Sequence, residues 1–239
     1  MFDKILIANR GEIAVRIIRA AKELGVKTVQ AHSEADKDSL PVQMADEAIE
    51  IGPPAAQQSY LKAEAILEAA RITKSDAIHP GYGFLAENAD FADAVESSGI
   101  SFIGPSGDVI RRMGDKAAAR KAAKEAGIPI IPGSDGILND LISAEKMAKE
   151  IGFPVMIKAT AGGGGRGIRI AENAEEFLAL ASQSSAEAKA AFGNGDLYLE
   201  KFISNARHIE VQILGDGENF IHCFERECSI QRRRQKVWE

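Results

Sequence analysis

The sequence predicts an α/β fold, with an amino-terminal parallel sheet covered by helices and a smaller α+β unit after it. Three observations carry the prediction. Lys4-Ile5-Leu6-Ile7-Ala8 is a short continuous apolar strand, followed by a tight turn at Asn9-Arg10-Gly11, a helix, and a second strand from about Lys27 to His32. That is a β-α-β unit, which favours a parallel sheet. Pro154 to Ile170 holds two β-branched-rich runs, Val155 to Ile157 and Ile168 to Ile170, joined by the four consecutive glycines Gly162 to Gly165. This reads as a hairpin with a mobile tip. Arg207 to Leu214 alternates, with His208, Glu210 and Gln212 facing one way and Ile209, Val211 and Ile213 the other.

At 239 residues the chain is long enough for a substantial core and for one to two domains. Hydrophobic and charged fractions of 45% and 27% are ordinary for a soluble globular protein. With 29 basic against 35 acidic residues the net charge is -6, which supports neither a nucleic-acid partner nor an anionic membrane surface. No apolar run approaches the ~18 residues of a membrane span. Met1-Phe2-Asp3-Lys4 runs directly into a strand and lacks the shape of a signal peptide, so a cytoplasmic protein is expected. Cys223 and Cys228 have no His or Cys partner that completes a zinc spacing, and two incidental buried thiols are expected.

Along the chain, the first helix carries Ile13, Ile17, Ala20 and Leu24 on one face and ends at Gly25. A lone Gly11 falls short of the three glycines of a G-x-G-x-x-G fingerprint, which argues against NAD or FAD. Asp36 to Met44 is polar and loop-like, Tyr60 to Thr73 is helical with Leu61, Ala65, Leu67 and Ala69 as apolar positions, and Ala77-Ile78-His79 is a strand. His79 to Asn88 then forms a rigid Pro/Gly turn at a strand's carboxyl end, the edge at which open α/β sheets bind ligands. The competing reading is a turn whose aromatics merely pack. His79 itself is expected to be a satisfied structural histidine rather than a base. Ile100 to Ile103 is another strand, and a helix from about Gly107 to Ala126 contains Met113-Gly114-Asp115-Lys116.

Gly127-Ile128-Pro129 stops that helix, and the Pro/Gly-rich passage Ile131 to Gly136 reads as an interdomain hinge. A short helix from Ala144 to Ile151 precedes the glycine hairpin, and Asn173 with Glu176 has capping-box spacing for the helix after it. Leu197 to Ile203 is a strand leading out of the small domain. The apolar face of the alternating strand is expected to meet a core while its polar face lines something wet. Gly215-Asp216-Gly217 turns the chain into a partner strand from Phe220 to Phe224. Arg232 to Lys236 packs four basic residues into five positions just before Trp238-Glu239, and the ending reads as an excerpt from something longer.

The glycine hairpin carries the clearest chemistry. Bare N–H groups in a glycine loop form anion-binding concavities, and Lys158, at the end of the entering strand, adds a positive charge facing the same ligand. That combination suits a polyphosphate. It is not a P-loop, whose lysine follows the glycines at a helix start. A plain glycine linker is the other reading, but linkers seldom sit between two apolar strands.

Ile7-Ala8-Asn9-Arg10-Gly11-Glu12-Ile13-Ala14, His79 to Asn88, Met113 to Lys116, Lys158 to Gly167 and Glu227 to Lys236, in this order and approximate spacing, resemble the biotin carboxylase family. These are ATP-grasp ligases that carboxylate biotin within acetyl-CoA, propionyl-CoA and pyruvate carboxylases, and the likeness runs along the whole chain. The resemblance implies a Rossmann-like parallel-sheet domain over residues 1–113, a connecting helix and hinge over 114–130, an α+β ATP-grasp lid with its glycine loop over 131–203, and the start of a truncated carboxyl-terminal ATP-grasp domain over 204–239. It further implies that Lys116 and Lys158 contact ATP phosphates, that the backbone of Gly164 and Gly165 folds over them, and that Glu200, Lys201 and Ile203 hold the adenine. His208 and Gln231 approach the ribose and phosphates, Lys236 is the catalytic residue that binds bicarbonate, and Tyr82 with Gly83 shapes the biotin pocket. One departure from the family pattern is Arg234, where histidine is usual.

The implied chemistry is phosphoryl transfer from ATP to bicarbonate, giving carboxyphosphate, then carboxylation of biotin, a step of acyl-CoA carboxylation and fatty acid biosynthesis. The implied cofactors are ATP, magnesium with its ligands beyond position 239, and biotin as carrier-bound substrate. The implied partners are a biotin carboxyl carrier protein, a carboxyltransferase and, at full length, a second copy of the chain, with the lid closing about hinges near Gly127 to Gly136 and Phe202 to Asn205. No metal ligand is assigned within this chain, and the chain alone is expected to be inactive. The alternatives are a nucleotide-binding module without turnover and another carboxylate–amine ligase of the same fold; the His79 to Asn88 and Gln231 to Lys236 segments argue against the latter.

Overall fold

The computed structural model describes residues 2–134, 136–138, 140–159, 168–232 and 235–236, with backbone alone at residues 116, 117, 191, 192, 231, 232, 235 and 236. The chain divides into two compact units, Met1–Pro129 and Ile130–Glu239.

Unit 1 is built on strands β1 (Lys4–Ile7), β2 (Lys27–Ser33), β3 (Glu47–Gly52), β4 (Ala77–His79) and β5 (Ser101–Phe102), parallel throughout and ordered β3-β2-β1-β4-β5. Helices α1 (Gly11–Glu23), α2 (Leu40–Met44), α3 (Ala63–Thr73), α4 (Ala89–Ser97), α5 (Gly107–Gly114) and α6 (Lys116–Glu125) connect and follow them. Successive β1 side chains point to opposite faces, and each face has its own core. Ile5 and Ile7 pack with Ala14, Ile17, Ile18 and Ala21 of α1, whereas Leu6 shares a core with Val29, Ile66, Ile78, Phe91 and Phe102. Burial on both sides is why these strands read as continuous apolar runs.

Four local expectations are corrected here. The buried face of α1 is Ala14, Ile17, Ile18 and Ala21, while Leu24 lies past the helix end and is 65% exposed. The segment after Asp36 contains the short helix α2 and leads into β3, an edge strand whose pattern is broken by the polar residues Glu47 and Glu50. The Tyr60 to Thr73 helix begins only at Ala63 and buries Ile66, Ala69 and Ala70, leaving Leu61 outside. The helix expected from Gly107 to Ala126 is two, because Asp115 adopts extended backbone and caps the second by accepting from Ala118 N–H at 2.9 Å.

Unit 2 contains α7 (Leu141–Ile151), β6 (Val155–Ala159), β7 (Ile168–Ala171), α8 (Ala174–Phe192) and β8 (Leu197–Lys201). The strands form an antiparallel sheet ordered β7-β6-β8, so the expected glycine hairpin pairs Val155 with Ala171 and Lys158 with Ile168. Val155, Ile157, Leu197 and Leu199 face α7 and α8, packing with Ala144, Ala148, Phe177 and Ala181. The opposite face, which carries Met156, Lys158, Tyr198 and Glu200, remains partly open. At the start of α8, Asn173 Oδ1 accepts Glu176 N–H at 3.0 Å, while the Glu176 carboxylate reaches Glu172 N–H at 3.3 Å, one residue short of a reciprocal box. Part of the passage read as a hinge is tied down: Lys201 N–H donates to Pro132 O at 2.7 Å and Ser134 N–H to Leu199 O at 2.9 Å. Gly133 is required there, since a Cβ would lie 2.4 Å from Leu199 O.

β9 (Ile209–Gly215) and β10 (Phe220–Glu227) form an antiparallel pair, and β11 (Gln231–Arg232) pairs with β12 (Gln235–Lys236). The apolar face of β9 was expected to meet a core, but among the described residues it does not: Ile213 is 55% exposed and Phe220 and Phe224 are each 72% exposed. Strand pairing holds the hairpin without cover on that face. Of the two cysteines expected to be buried, Cys228 is buried and Cys223, within the exposed β10, is not.

Candidate functional site

In unit 1 the strand order reverses between β1 and β4, and the loops leaving their carboxyl ends flank this switch point. Asn9, Arg10 and Gly11 follow β1; Pro80 to Phe84 follows β4. The Arg10 guanidinium lies 5.5 Å from the ring centres of both Tyr60 and Phe84, which stack on each other at 5.1 Å, and sits 3.6 Å from the Asp36 carboxylate. Burial works to raise the Asp36 carboxyl, but the Ser33 and Tyr60 hydroxyls and Arg10 together hold it below the usual carboxylate range. Burial, reinforced by Asp36, pushes the Tyr60 phenol up to about 12.

Tyr82 is 43% exposed, and its hydroxyl donates to Glu12 in the first turn of α1. Gly83 has φ +67°, a conformation glycine adopts without strain. His79 accepts the Gly81 N–H on Nδ1 at 3.1 Å, and desolvation pushes its pKa down to about 4. A neutral imidazole acting as a backbone acceptor is the structural histidine expected from the sequence. A shallow depression of about 450 Å³ among Asp3, Lys4, Lys27, Lys74 and Asp76 lies at the opposite, amino-terminal edge of the sheet.

In unit 2 the open face of the β7-β6-β8 sheet brings two expected residues together. Lys158 pairs through its ammonium with the Glu200 carboxylate, and the same ammonium sits 5.7 Å from the Tyr198 ring centre. Lys158 is opposite Tyr198 in the register and Met156 opposite Glu200, so all four share a face by strand alternation. Tyr198 was missed in the sequence, although its spacing of two from Glu200 places it beneath the lysine. Lys201 falls on the other face: its Nζ donates to the carbonyls of Gly152 and Phe153 at 2.8 Å each, at the carboxyl end of α7. A Lys201 contribution toward a ligand on the Lys158 face is therefore left to its backbone.

Ile203 is exposed just beyond β8. His208 precedes β9, its N–H donating to Ser229 Oγ at 2.9 Å and its Nε2 lying 3.6 Å from Glu210, which also pairs with Arg226 at 2.8 Å. Gln231 and Lys236 are register partners across β11 and β12. The side chains of Lys116, Gln231 and Lys236, together with Gly164, Gly165 and Arg234, lie outside the described residues. Among the described residues no group of three or more His, Cys, Asp or Glu side chains is placed to hold a metal ion.

Residues 1–110 match the family model described as biotin carboxylase, N-terminal domain, and residues 115–239 that described as carbamoyl-phosphate synthase L chain, ATP binding domain. A helix-covered parallel sheet followed by an α+β unit with an antiparallel hairpin sheet defines the fold class, that of the ATP-grasp proteins. The chain is 56% identical over 241 aligned positions to the biotin carboxylase of Pseudomonas aeruginosa, covering 100% of this chain and 54% of that protein. It is similar, with TM-score 0.88 and 52% identity over 99% of its length, to the biotin carboxylase domain of a thermophilic 2-oxoglutarate carboxylase bound to bicarbonate, of which it covers 52%. A biotin carboxylase domain dimer from Hydrogenobacter thermophilus 2-oxoglutarate carboxylase, in complex with MgADP, ADP and bicarbonate, is similar with TM-score 0.78 and 55% identity, at coverages of 99% and 52%. The chain belongs to the biotin carboxylase family. It spans about half the length of the curated relatives it matches.

Proposed function

We propose that this chain supplies the nucleotide-gripping, bicarbonate-binding and biotin-facing portion of an ATP- and bicarbonate-dependent biotin carboxylase. The observation that carries this reading is the Lys158–Glu200 pair on the open face of the lid sheet, at the mouth of the glycine hairpin. An ammonium on a partly desolvated sheet face neutralises phosphate charge more effectively than one in bulk water. The Glu200 carboxylate offers an acceptor to an exocyclic amine of the base. Relatives in complex with ADP, magnesium and bicarbonate support the ligand set.

In this reading residues 1–113 carry Tyr82 and Gly83 toward biotin, 114–130 connect, 131–203 close as a lid, and 204–239 begin the domain that holds His208, Gln231 and Lys236. Lys116 and Lys158 bind and orient the phosphates under Gly164 and Gly165. The backbone of Lys201 and Ile203 borders the adenine, and Lys236 holds bicarbonate for attack on the terminal phosphorus, which breaks the bond to the bridging oxygen, releases ADP and gives carboxyphosphate. Biotin presented on a carrier protein then receives the carboxyl group on its ureido nitrogen, which loses its proton as inorganic phosphate leaves, and a carboxyltransferase passes the group on, within a cytoplasmic assembly that is dimeric at full length. Magnesium would supply charge neutralisation of the phosphates. The described residues offer no carboxylate cluster to hold it.

Lysines alone provide monovalent compensation where phosphoryl transfer gathers negative charge. Missing alignment and charge stabilisation are each worth several kcal/mol. With about 1.36 kcal/mol per tenfold in rate, the 239-residue chain alone is expected to be slower by more than ~10³-fold than a chain extended to its relatives' length. The test is biotin-dependent ATP cleavage by both. Short-chain activity within tenfold of the long chain refutes this division of labour. In the active long chain, Lys236→Gln is expected to abolish carboxylation and leave ATP affinity intact, and loss of ATP binding instead removes Lys236 from the bicarbonate site.

A further inference from the structure

The switch point between β1 and β4 is where a sheet of this order opens a ligand crevice, and here a side chain stands in it. Asn9, 3% exposed, donates from Nδ2 to the carbonyl oxygens of Pro80 at 2.7 Å and Tyr82 at 2.8 Å, while its Oδ1 accepts the Arg10 N–H at 2.8 Å. Its own carbonyl accepts from Gln30 Nε2 at 2.7 Å. The fit is close: a Cβ at Gly81 would lie 2.7 Å from Asn9 Nδ2.

The turn so held is unlike a regular one. Gly81 at φ +65°, Gly83 at +67° and Phe84 at +42° place three residues in the left-handed region within four positions, and no strand ladder runs through them. The segment after β1 also reaches the side chain it presents, since Glu12 accepts the Tyr82 hydroxyl. Only a two-proton donor satisfies two carbonyls at once. Aspartate at position 9 has the same shape and still accepts from Arg10, but it sets an oxygen against both carbonyls.

We propose that Asn9 is a positioning residue: its amide clamps the Pro80–Phe84 turn so that Tyr82 and Gly83 meet biotin in one fixed orientation. This rests on the reading of Tyr82 and Gly83 as biotin-facing. The crevice that binds a dinucleotide in related sheets is thereby converted into a mount for a recognition turn, consistent with the missing glycine fingerprint.

The test compares Asn9→Asp with Gly81→Ala, which presses on the same amide from the other side, and with Gly83→Ala, which alters the turn's face without touching the clamp. Amide hydrogen exchange across residues 81–84 is expected to accelerate at least tenfold in Asn9→Asp and Gly81→Ala, with the core strands around Val29 and Ile78 unchanged. In fluorotyrosine-labelled protein, whose three tyrosines are Tyr60, Tyr82 and Tyr198, the Tyr82 signal is expected to move and the Tyr198 signal to stay. In the protein at its full natural length, KM for free biotin is expected to rise at least tenfold in both clamp variants, with KM for ATP within twofold. Unchanged exchange in a folded Asn9→Asp protein overturns the clamp. A loosened turn with unchanged biotin KM, while Gly83→Ala raises that KM, overturns the positioning role alone. If Gly83→Ala also leaves biotin KM unchanged, the biotin reading of the turn is what fails, and the proposal falls with it.

Discussion

In the five-stranded sheet Leu6 shares one core with Val29 and Ile78 while Ile5 and Ile7 enter another under α1, so every side chain of β1 beyond Lys4 is covered. In β9 and β10 the apolar residues Ile209, Val211, Ile213, Phe220 and Phe224 are exposed. The two regions are equally convincing as strands in the sequence. A period of two reports a strand and says which side chains share a face, but not what lies across that face. Continuous apolar runs, as in β1, report cover on both sides.

The comparison breaks first under core truncation. Phe91, 2% exposed and edge-on to Phe102, is expected to cost about 3–5 kcal/mol on Phe91→Ala, from lost transfer energy and a residual cavity. Phe220→Ala and Phe224→Ala in the hairpin are expected to cost at most about 0.5 kcal/mol. Urea unfolding followed at several wavelengths measures all three. A hairpin phenylalanine that costs as much as Phe91 would show its face to be buried in solution, and the contrast would be lost.

A pH series sharpens the same contrast, because the first region contains a desolvated titrating group. The His79 pKa, about 4 when folded, lies below its ordinary 6.5, so as pH falls the unfolded chain takes up the proton first. Stability is full above pH 6.5 and drains between 6.5 and about 4, by an amount on the order of 3 kcal/mol. Asp36, also lowered, loses its contribution only below its ordinary 3.8 and so does not confuse this window. His79→Gln is expected to flatten the pH 4–6.5 slope; an unchanged slope assigns it elsewhere.

A smaller effect concerns caps. Asn88 Oδ1 accepts the Phe91 N–H at 2.8 Å at the start of α4, and Asn173 does the equivalent for α8. Each Asn→Ala change is expected to cost about 1 kcal/mol, read from melting temperature. Equal costs in the two units would mean that local capping is indifferent to how much core lies behind it.

Much of the architecture was legible in β1, β2, β4 and β5, the glycine hairpin and the Asn173 cap, because apolar runs, glycine and cap chemistry act over a few residues. β3 was hidden, since an edge strand of Glu47-Ala48-Ile49-Glu50-Ile51-Gly52 carries too few apolar positions to announce itself. The Asp115 break was hidden as well, because an aspartate that ends one helix and caps the next looks helical on both sides. At the site, the face shared by Lys158 and Glu200 follows from strand alternation and register, and the same alternation turns the Lys201 side chain away. The Asn9 bonds to Pro80 and Tyr82 were not legible: they span 71 and 73 residues, and nothing local marks an asparagine in a turn as a clamp.

The central claim, that the open face of the β7-β6-β8 sheet grips a nucleotide, is tested most directly by titrating the chain with ADP and with MgATP while following its melting temperature. At about 100 times Kd the stabilisation is expected to be ~2.7 kcal/mol, or roughly 5–10 °C for a chain of this size. Lys158→Ala is expected to move the titration at least tenfold to higher nucleotide. No shift up to millimolar nucleotide, or an equal shift in Lys158→Ala, contradicts the account.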